Sequence, residues 1–169
     1  SSMPDGPCCS ACGSKVRIVY SFTGFLIGLS ILIVFGLRYH NWNTALWGLI
    51  SGVAALITFF VHIWHVKNKW QDRLTQLKVL MLSGCFIQLA GVVGFAVYLA
   101  LAITQNQGLI IEGPGYYLAV VWCFMTWKWG FSLFYYSRKY RRELHYNLIF
   151  MTIFCMWNNR NYQYDFSYK

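Results

Sequence analysis

Residues 116–140 read YYLAVVWCFMTWKWGFSLFYYSRKY and carry the clearest signal in this chain. The first 21 of them are long enough to cross a bilayer as a helix, which takes about 20 residues at ~1.5 Å each. Ten of these 21 residues are aromatic, and one charge, Lys128, lies between Trp127 and Trp129. Because an ionisable side chain inside a span is costly, Lys128 is a candidate functional residue.

The apolar residues of the whole chain are arranged in long runs. Of 169 residues, 57% are hydrophobic and 11% charged, whereas soluble domains average about 25% charged residues. Four runs are long enough to span a bilayer, at about 18–37, 44–66, 79–104 and 116–136. We therefore predict an all-α fold: a polytopic membrane protein that forms a four-transmembrane-helix bundle.

The segments outside the bundle are short. We expect an N-terminal tail at 1–16, the bundle at 17–140 and a C-terminal tail at 141–169. The apolar run 148–157 in the last segment is too short to span, so we expect an interfacial helix on the inner leaflet.

Basic residues give the net charge of +9 and indicate orientation rather than nucleic-acid binding. Twelve of the 14 precede span one, separate spans two and three, or follow span four: Lys15, Arg17, Lys67, Lys69, Arg73, Lys78, Arg138, Lys139, Arg141, Arg142, Arg160 and Lys169. Positive charge marks the cytosolic side, so both termini and the middle loop are predicted to be cytosolic. Basic residues there also attract anionic lipid, which makes the bilayer a partner.

Cys8, Cys9 and Cys12 lie on this predicted cytosolic side, where disulfides are disfavoured. Their C-x-x-C spacing has no second pair to complete a zinc site. Cysteines this close to a span are more often palmitoylated or merely tolerated.

Two spans carry glycine pairs with G-x-x-x-G spacing: Gly24 with Gly28, and Gly48 with Gly52. This spacing lets helices approach closely. It favours packing within the bundle or self-association, so a homo-oligomer through these faces is one expectation.

One face of span two combines small residues with two histidines. Residues three or four apart share a helix face, and this face contains Gly48, Ser51, Ala55, Thr58, His62 and His65. Small residues leave space, and a histidine at the end can bind what fills it. Alternatively, His62 hydrogen-bonds a neighbouring helix and His65 faces the headgroups.

Lys128 has no carboxylate in any predicted span, because the five acidic residues all lie outside them. It either extends its side chain to the headgroups or meets an anionic ligand. The flanking rings suit a flat aromatic ligand, although tryptophan and tyrosine also line membrane interfaces.

Several motifs in order resemble one family: VRIVYS, FFVHIW, LAITQNQ, GYYLAVVWCF, WKWGF and YSRKY. Between Arg17 and Arg141 the chain is similar to the haem-responsive-gene family of small four-span eukaryotic haem transporters. The resemblance implies movement of haem, as transported substrate, from the exoplasmic or endolysosomal side into the cytosol. It implies an endosomal, lysosomal or plasma-membrane location and a role in iron homeostasis.

The resemblance also implies site residues. The family's haem-handling histidine falls on His62 and its lysine on Lys128, and its C-terminal motif falls on Tyr136, Ser137, Arg138, Lys139 and Tyr140. Members often carry a histidine in the third loop, where this chain has Gln105, Asn106 and Gln107; His40 is the one histidine in its exoplasmic loops.

The resulting hypothesis is a path between spans two and four. Haem first meets His40, and His62 then ligates the iron as an axial ligand, with His65 as a weaker candidate. Lys128 or the Arg138–Lys139 pair holds the propionates, and Tyr136 and Tyr140 bracket the cytosolic exit.

Two other classes of protein share some features of this sequence. A four-span scaffold or adaptor explains the glycine faces and the basic surface, but not His62 or the unpaired Lys128. A membrane enzyme of the cytochrome b type requires histidine pairs on facing helices, and only span two carries intramembrane histidines. No protease, nucleotide-loop or nucleophile motif appears, so we do not expect an enzyme.

Overall fold

The computed structural model describes residues 7–67, 74–106, 108–109 and 115–166. Over these residues the chain forms four helices and no strand: α1 (Pro7–Ile33), α2 (Trp42–Val66), α3 (Leu74–Thr104) and α4 (Tyr116–Phe166). A five-residue π-helical turn, Val34–Arg38, continues α1. The predicted all-α class and the four-helix bundle are confirmed. Three predicted spans lie within one helix each, and the first runs through α1 into the π-helical turn.

The helices extend beyond the predicted spans at both ends of the chain. The first helix already begins at Pro7, inside the segment expected as a tail. The last continues without interruption to Phe166, so the run 148–157 is part of α4 and not a separate helix. The side chains of Cys8, Cys9 and Cys12, and residues Lys69, Arg73 and Gln107, lie outside the described part of the chain.

A buried asparagine starts α2. Asn41 is fully buried, and its side-chain oxygen accepts a hydrogen bond from the Thr44 backbone N–H at 3.2 Å. Asparagine is among the best N-cap residues, because this bond satisfies a backbone donor that the helix leaves unpaired. His40, just before the cap, is exposed and has a φ of 50°.

The helices lie side by side in the order α1, α2, α4, α3. Glycines let neighbouring backbones touch: a Cβ on Gly28 would lie 2.5 Å from the Gly52 Cα, and one on Gly84 would lie 2.7 Å from the Phe134 nitrogen. The glycine faces expected to serve bundle packing or self-association therefore pack within the chain.

The small-residue face of α2 is filled along most of its length. Ile31 and Gly28 of α1 lie against Gly48 and Gly52, and Trp129 of α4 packs on Ala54 and Ala55. The expectation that this face leaves space is wrong for these residues. Small side chains here allow two neighbouring helices to approach closely. Only the polar end of this face, at His62, stays a candidate for ligand binding.

Three helical segments are long and apolar enough to cross a membrane: Gly13–Arg38, Trp42–Val66 and Thr75–Thr104. The first part of α4 is as long but is richer in tryptophan and tyrosine, which lowers its mean hydropathy. It packs between α2 and α3, which places it inside the same bundle. The chain is therefore a membrane protein. The fourth span in the first part of α4 and the cytosolic position of both termini stay predictions.

Candidate functional site

His62 lies in the last part of α2, where α4 crosses behind it. Its side chain is only 3% exposed, and Nδ1 is 2.8 Å from the Tyr140 hydroxyl oxygen. The Tyr136 ring meets the imidazole edge-on, with 4.5 Å between ring centroids. The structure therefore brings together three predicted site residues, His62, Tyr136 and Tyr140.

Tyr140 joins both histidines of α2. Its ring stacks on His65 with the centroids 3.6 Å apart and the planes 9° from parallel. The other edge of His65 faces Glu143, at 3.6 Å from Nε2 to the carboxylate, and Lys139 lies 3.9 Å from the same carboxylate. His65 therefore contacts the cluster instead of pointing away to the headgroups.

Arg17 of α1 closes the cluster from the third side. Its guanidinium lies 5.2 Å above the centre of the Tyr136 ring, and its position near Tyr140 lowers the pKa of that phenol. In the sequence this arginine was used only as an orientation signal. A positional signal was present, since Arg17 precedes span one at the end predicted to be cytosolic, the same predicted side on which span two ends after His62.

The Tyr140 phenol stays protonated. Burial raises its pKa to about 12, and the neighbouring Arg17 guanidinium acts in the opposite direction but does not cancel this effect. A neutral phenol is a hydrogen-bond partner for imidazole and not a tyrosinate ligand for a metal.

Lys128 lies apart from this cluster. Its ammonium nitrogen is 4.7 Å from the centre of the Tyr20 ring and 5.1 Å from that of Trp129. Eight residues separate it from Tyr136 on α4, which is about 12 Å along the helix. The lysine faces α1 over two aromatic rings, a favourable position for a cation in an apolar environment.

Two further predicted site residues are not brought to His62. Arg138 lines a groove between α3 and α4. It lies two residues before Tyr140, about 200° around the helix, so it faces the other side of α4. His40 is at the opposite end of α2, about 30 Å from His62.

The cluster of Arg17, His62, His65, Tyr136 and Tyr140 (the imidazole–tyrosine cluster) offers one kind of metal chemistry. Within the described residues no three histidine, cysteine or acidic side chains gather to hold a bare metal ion. A buried imidazole among aromatic rings, with a guanidinium beside it, instead suits a metal that brings its own planar ligand. The rings can contact such a ligand, and the guanidinium can bind its carboxylates.

Comparisons with known proteins point to the same chemistry. The profile of a family described as "Haem-transporter, endosomal/lysosomal, haem-responsive gene" matches residues 77–129, which cover α3 and the part of α4 that ends beside Lys128. That family consists of transporters, which confirms the expectation that the chain is not an enzyme.

Three relatives from Caenorhabditis elegans align over most of the chain. A protein named heme transporter hrg-1 is 28% identical over 141 residues, covering 79% of this chain and 72% of its own. Heme transporter hrg-4 is 23% identical over 82% of this chain and 86% of its own, and heme transporter hrg-6 is 25% identical over 82% and 88%. No solved structure matches the chain. The resemblance inferred from the sequence is thereby confirmed: the chain is similar to the haem-responsive-gene family of haem transporters over residues 77–129 and to these three named heme transporters over most of its length.

Proposed function

We propose that this protein carries haem across an endolysosomal or plasma membrane into the cytosol, and that the imidazole–tyrosine cluster binds haem on the way. One observation supports the site above all others: His62, which is buried at the end of α2, contacts both tyrosines of the YSRKY motif. The names of the relatives supply the substrate class. The direction of transport rests on the predicted orientation.

His62 ligates the haem iron through Nε2, because Nδ1 is hydrogen-bonded to the Tyr140 hydroxyl. A neutral imidazole carries one proton, so Nε2 has a free lone pair only when Nδ1–H donates to the Tyr140 oxygen. Such a bond to the second nitrogen orients a metal-ligating histidine and strengthens it as a ligand. Tyr140 therefore acts as a positioning residue.

Arg17 replaces Lys128 as the cation that holds a propionate near this iron. It is the guanidinium that contacts both Tyr136 and Tyr140. Lys128 is about two helical turns away and points to Tyr20. Lys128 serves an earlier position on the path.

The structure corresponds to a closed form of this site. His62 and Tyr140 are 3% and 4% exposed, and the Tyr136 ring covers the imidazole. A macrocycle reaches Nε2 only after Tyr136 rotates away, and the same ring returns when haem leaves. Binding that requires opening is weaker than binding to a preformed slot, which favours release into the cytosol.

The test is a haem titration of purified protein beside its His62→Ala variant, together with rescue of a haem-auxotrophic cell. We expect the variant to lose the absorption change of an imidazole-ligated haem and to rescue growth poorly at equal surface expression. The matched control is Thr58→Ala, because Thr58 is buried on the same helix face and, among the described residues, donates its hydroxyl hydrogen bond to the Ala54 carbonyl of its own helix. Normal rescue by His62→Ala removes this histidine from the path, and no haem binding by the wild type favours a scaffold.

A further inference from the structure

A cavity lies on the side of α4 opposite the imidazole–tyrosine cluster. It has a volume of about 650 Å³ and is open to the surface between α3 and α4. Its lining comprises Met81, Phe134, Arg138, Arg141, Arg142, His145 and Tyr146. We call it the arginine groove. It is of the size that takes a small organic ligand, and no part of it belongs to the imidazole–tyrosine cluster.

Among the residues that the structure describes, no acidic side chain balances the positive charge of the arginine groove. Three guanidiniums line it, and no carboxylate is among its lining residues. The nearby carboxylate on α4, Glu143, pairs with Lys139 and contacts His65 on the opposite side of the helix. Among the described residues, neither recorded ion pair uses Arg138, Arg141 or Arg142. Like charges that line one groove repel each other, and an anion bound between them lowers this repulsion.

The position of the groove suggests where that anion comes from. Arg138, Arg141 and Arg142 begin two residues beyond the predicted end of span four, at the depth of the headgroups. Basic pockets between membrane helices at this depth bind phosphorylated headgroups. The planar guanidinium fork also fits phosphate oxygens through two parallel hydrogen bonds.

We propose that the arginine groove binds the clustered phosphates of a polyphosphorylated membrane lipid. The three guanidiniums hold the phosphates, and Met81, Phe134 and Tyr146 contact the apolar part of the lipid next to them. Haem fits this groove less well, because its two propionates leave one of three guanidiniums unpaired. A soluble phosphate compound leaves the apolar wall exposed to water.

The experiment measures lipid binding to the full-length protein by native mass spectrometry, with phosphatidylinositol bisphosphate as the probe and phosphatidylcholine as the reference lipid. We expect selective binding of the bisphosphate, and binding at least about tenfold weaker in Arg141→Gln/Arg142→Gln, because two charge-assisted hydrogen-bonding groups are lost. Arg141→Lys/Arg142→Lys keeps the charge but not the fork, so its affinity is expected to lie between the two.

The control is Lys15→Gln/Lys67→Gln, which removes two exposed basic residues outside the groove. An equal loss in this control means general charge attraction and overturns the proposal. Displacement of the lipid by haem, or equally tight binding of a soluble inositol bisphosphate, overturns the lipid assignment. Circular dichroism and elution volume establish that each variant is folded. Because the variants leave His62 and Arg17 intact, failure here leaves the proposed haem site unaffected.

Discussion

Two cations on different helices illustrate how a side chain's neighbours decide its role. Arg17 lies over Tyr136 beside the buried imidazole, whereas Lys128 lies over Tyr20 and Trp129. Both are held by aromatic rings. Of the two, Arg17 is the one that lies over a ring in contact with His62, so it is the cation that we propose for an anionic group of the ligand.

The residue-scale prediction compares these two cations directly. Arg17→Gln removes a charge-assisted hydrogen bond to a propionate, worth about 1.5–3 kcal/mol, so haem affinity should fall about tenfold or more. Lys128→Gln should change the affinity at the His62 site by less than about threefold, because the lysine is two turns away. Titration of both purified variants with haem measures this difference.

Arg17→Lys is the control that separates charge from packing, and it should retain part of the affinity because it keeps the cation. Thermal unfolding of each variant shows whether the cluster is intact. A larger loss for Lys128→Gln than for Arg17→Gln contradicts the assignment and restores the lysine as the propionate ligand.

Four of the five residues of the imidazole–tyrosine cluster were candidates from the sequence, and Arg17 was not. His62 and the two tyrosines were predicted from the end of a helix face and from the family motif, and the structure brings them together. Arg17 was missed because an arginine just before a span also reports orientation, and the sequence pattern does not distinguish the two roles. The split of the YSRKY motif, with Arg138 on the far side, follows from helical periodicity and could have been predicted.

At the scale of the helices, the contact between α1 and α2 depends on glycines. A Cβ at Gly28 would lie 2.5 Å from the Gly52 Cα and 2.8 Å from the Gly48 carbonyl oxygen, so backbone atoms would have to move. Gly13, earlier in α1, has open space around the position of a Cβ. The same helix therefore provides both a sensitive glycine and an insensitive one.

We expect Gly28→Ala to destabilise the bundle by about 1–3 kcal/mol, because overpacking of a close contact forces the helices apart. Gly13→Ala should be neutral or stabilising by up to about 1 kcal/mol, because alanine favours a helix over glycine. Thermal unfolding of both variants in the same detergent measures the effect. Equal stability of the two variants would show that α1 and α2 do not touch at Gly28.

The sequence predicted the presence of the four helices but not their lengths. Four apolar runs gave four helices, but the end of α4 was placed where the sequence turns basic, near residue 141. A change of polarity does not end a helix. From Phe131 to Phe166 there is no glycine or proline to interrupt the backbone, so the helix continues past the bundle.

At the scale of the whole molecule, the sequence pattern did not predict which helix packs against which. Periodicity predicts which face of a helix is buried but not against which partner, and here the order is α1, α2, α4, α3. That order places α2 and α4 in the middle, which is why the small-residue face of α2 is covered from both sides. In addition, α1 reaches α4 directly at some side chains, as in the contact of Arg17 with Tyr136.

The orientation of the molecule is the last prediction. Lys15 and Lys67 lie at the same end of the bundle as the imidazole–tyrosine cluster, and Asn106 is exposed beyond α3 at the other end. Cytosolic basic residues dominate orientation, so the first end should face the cytosol. A membrane-impermeant maleimide applied to intact cells that display the protein at their surface should therefore label Asn106→Cys, while Lys67→Cys should react only after permeabilisation, each compared with wild-type background. The reverse pattern would invert the bundle, place the imidazole–tyrosine cluster on the exoplasmic face and turn it from an exit for haem into an entrance.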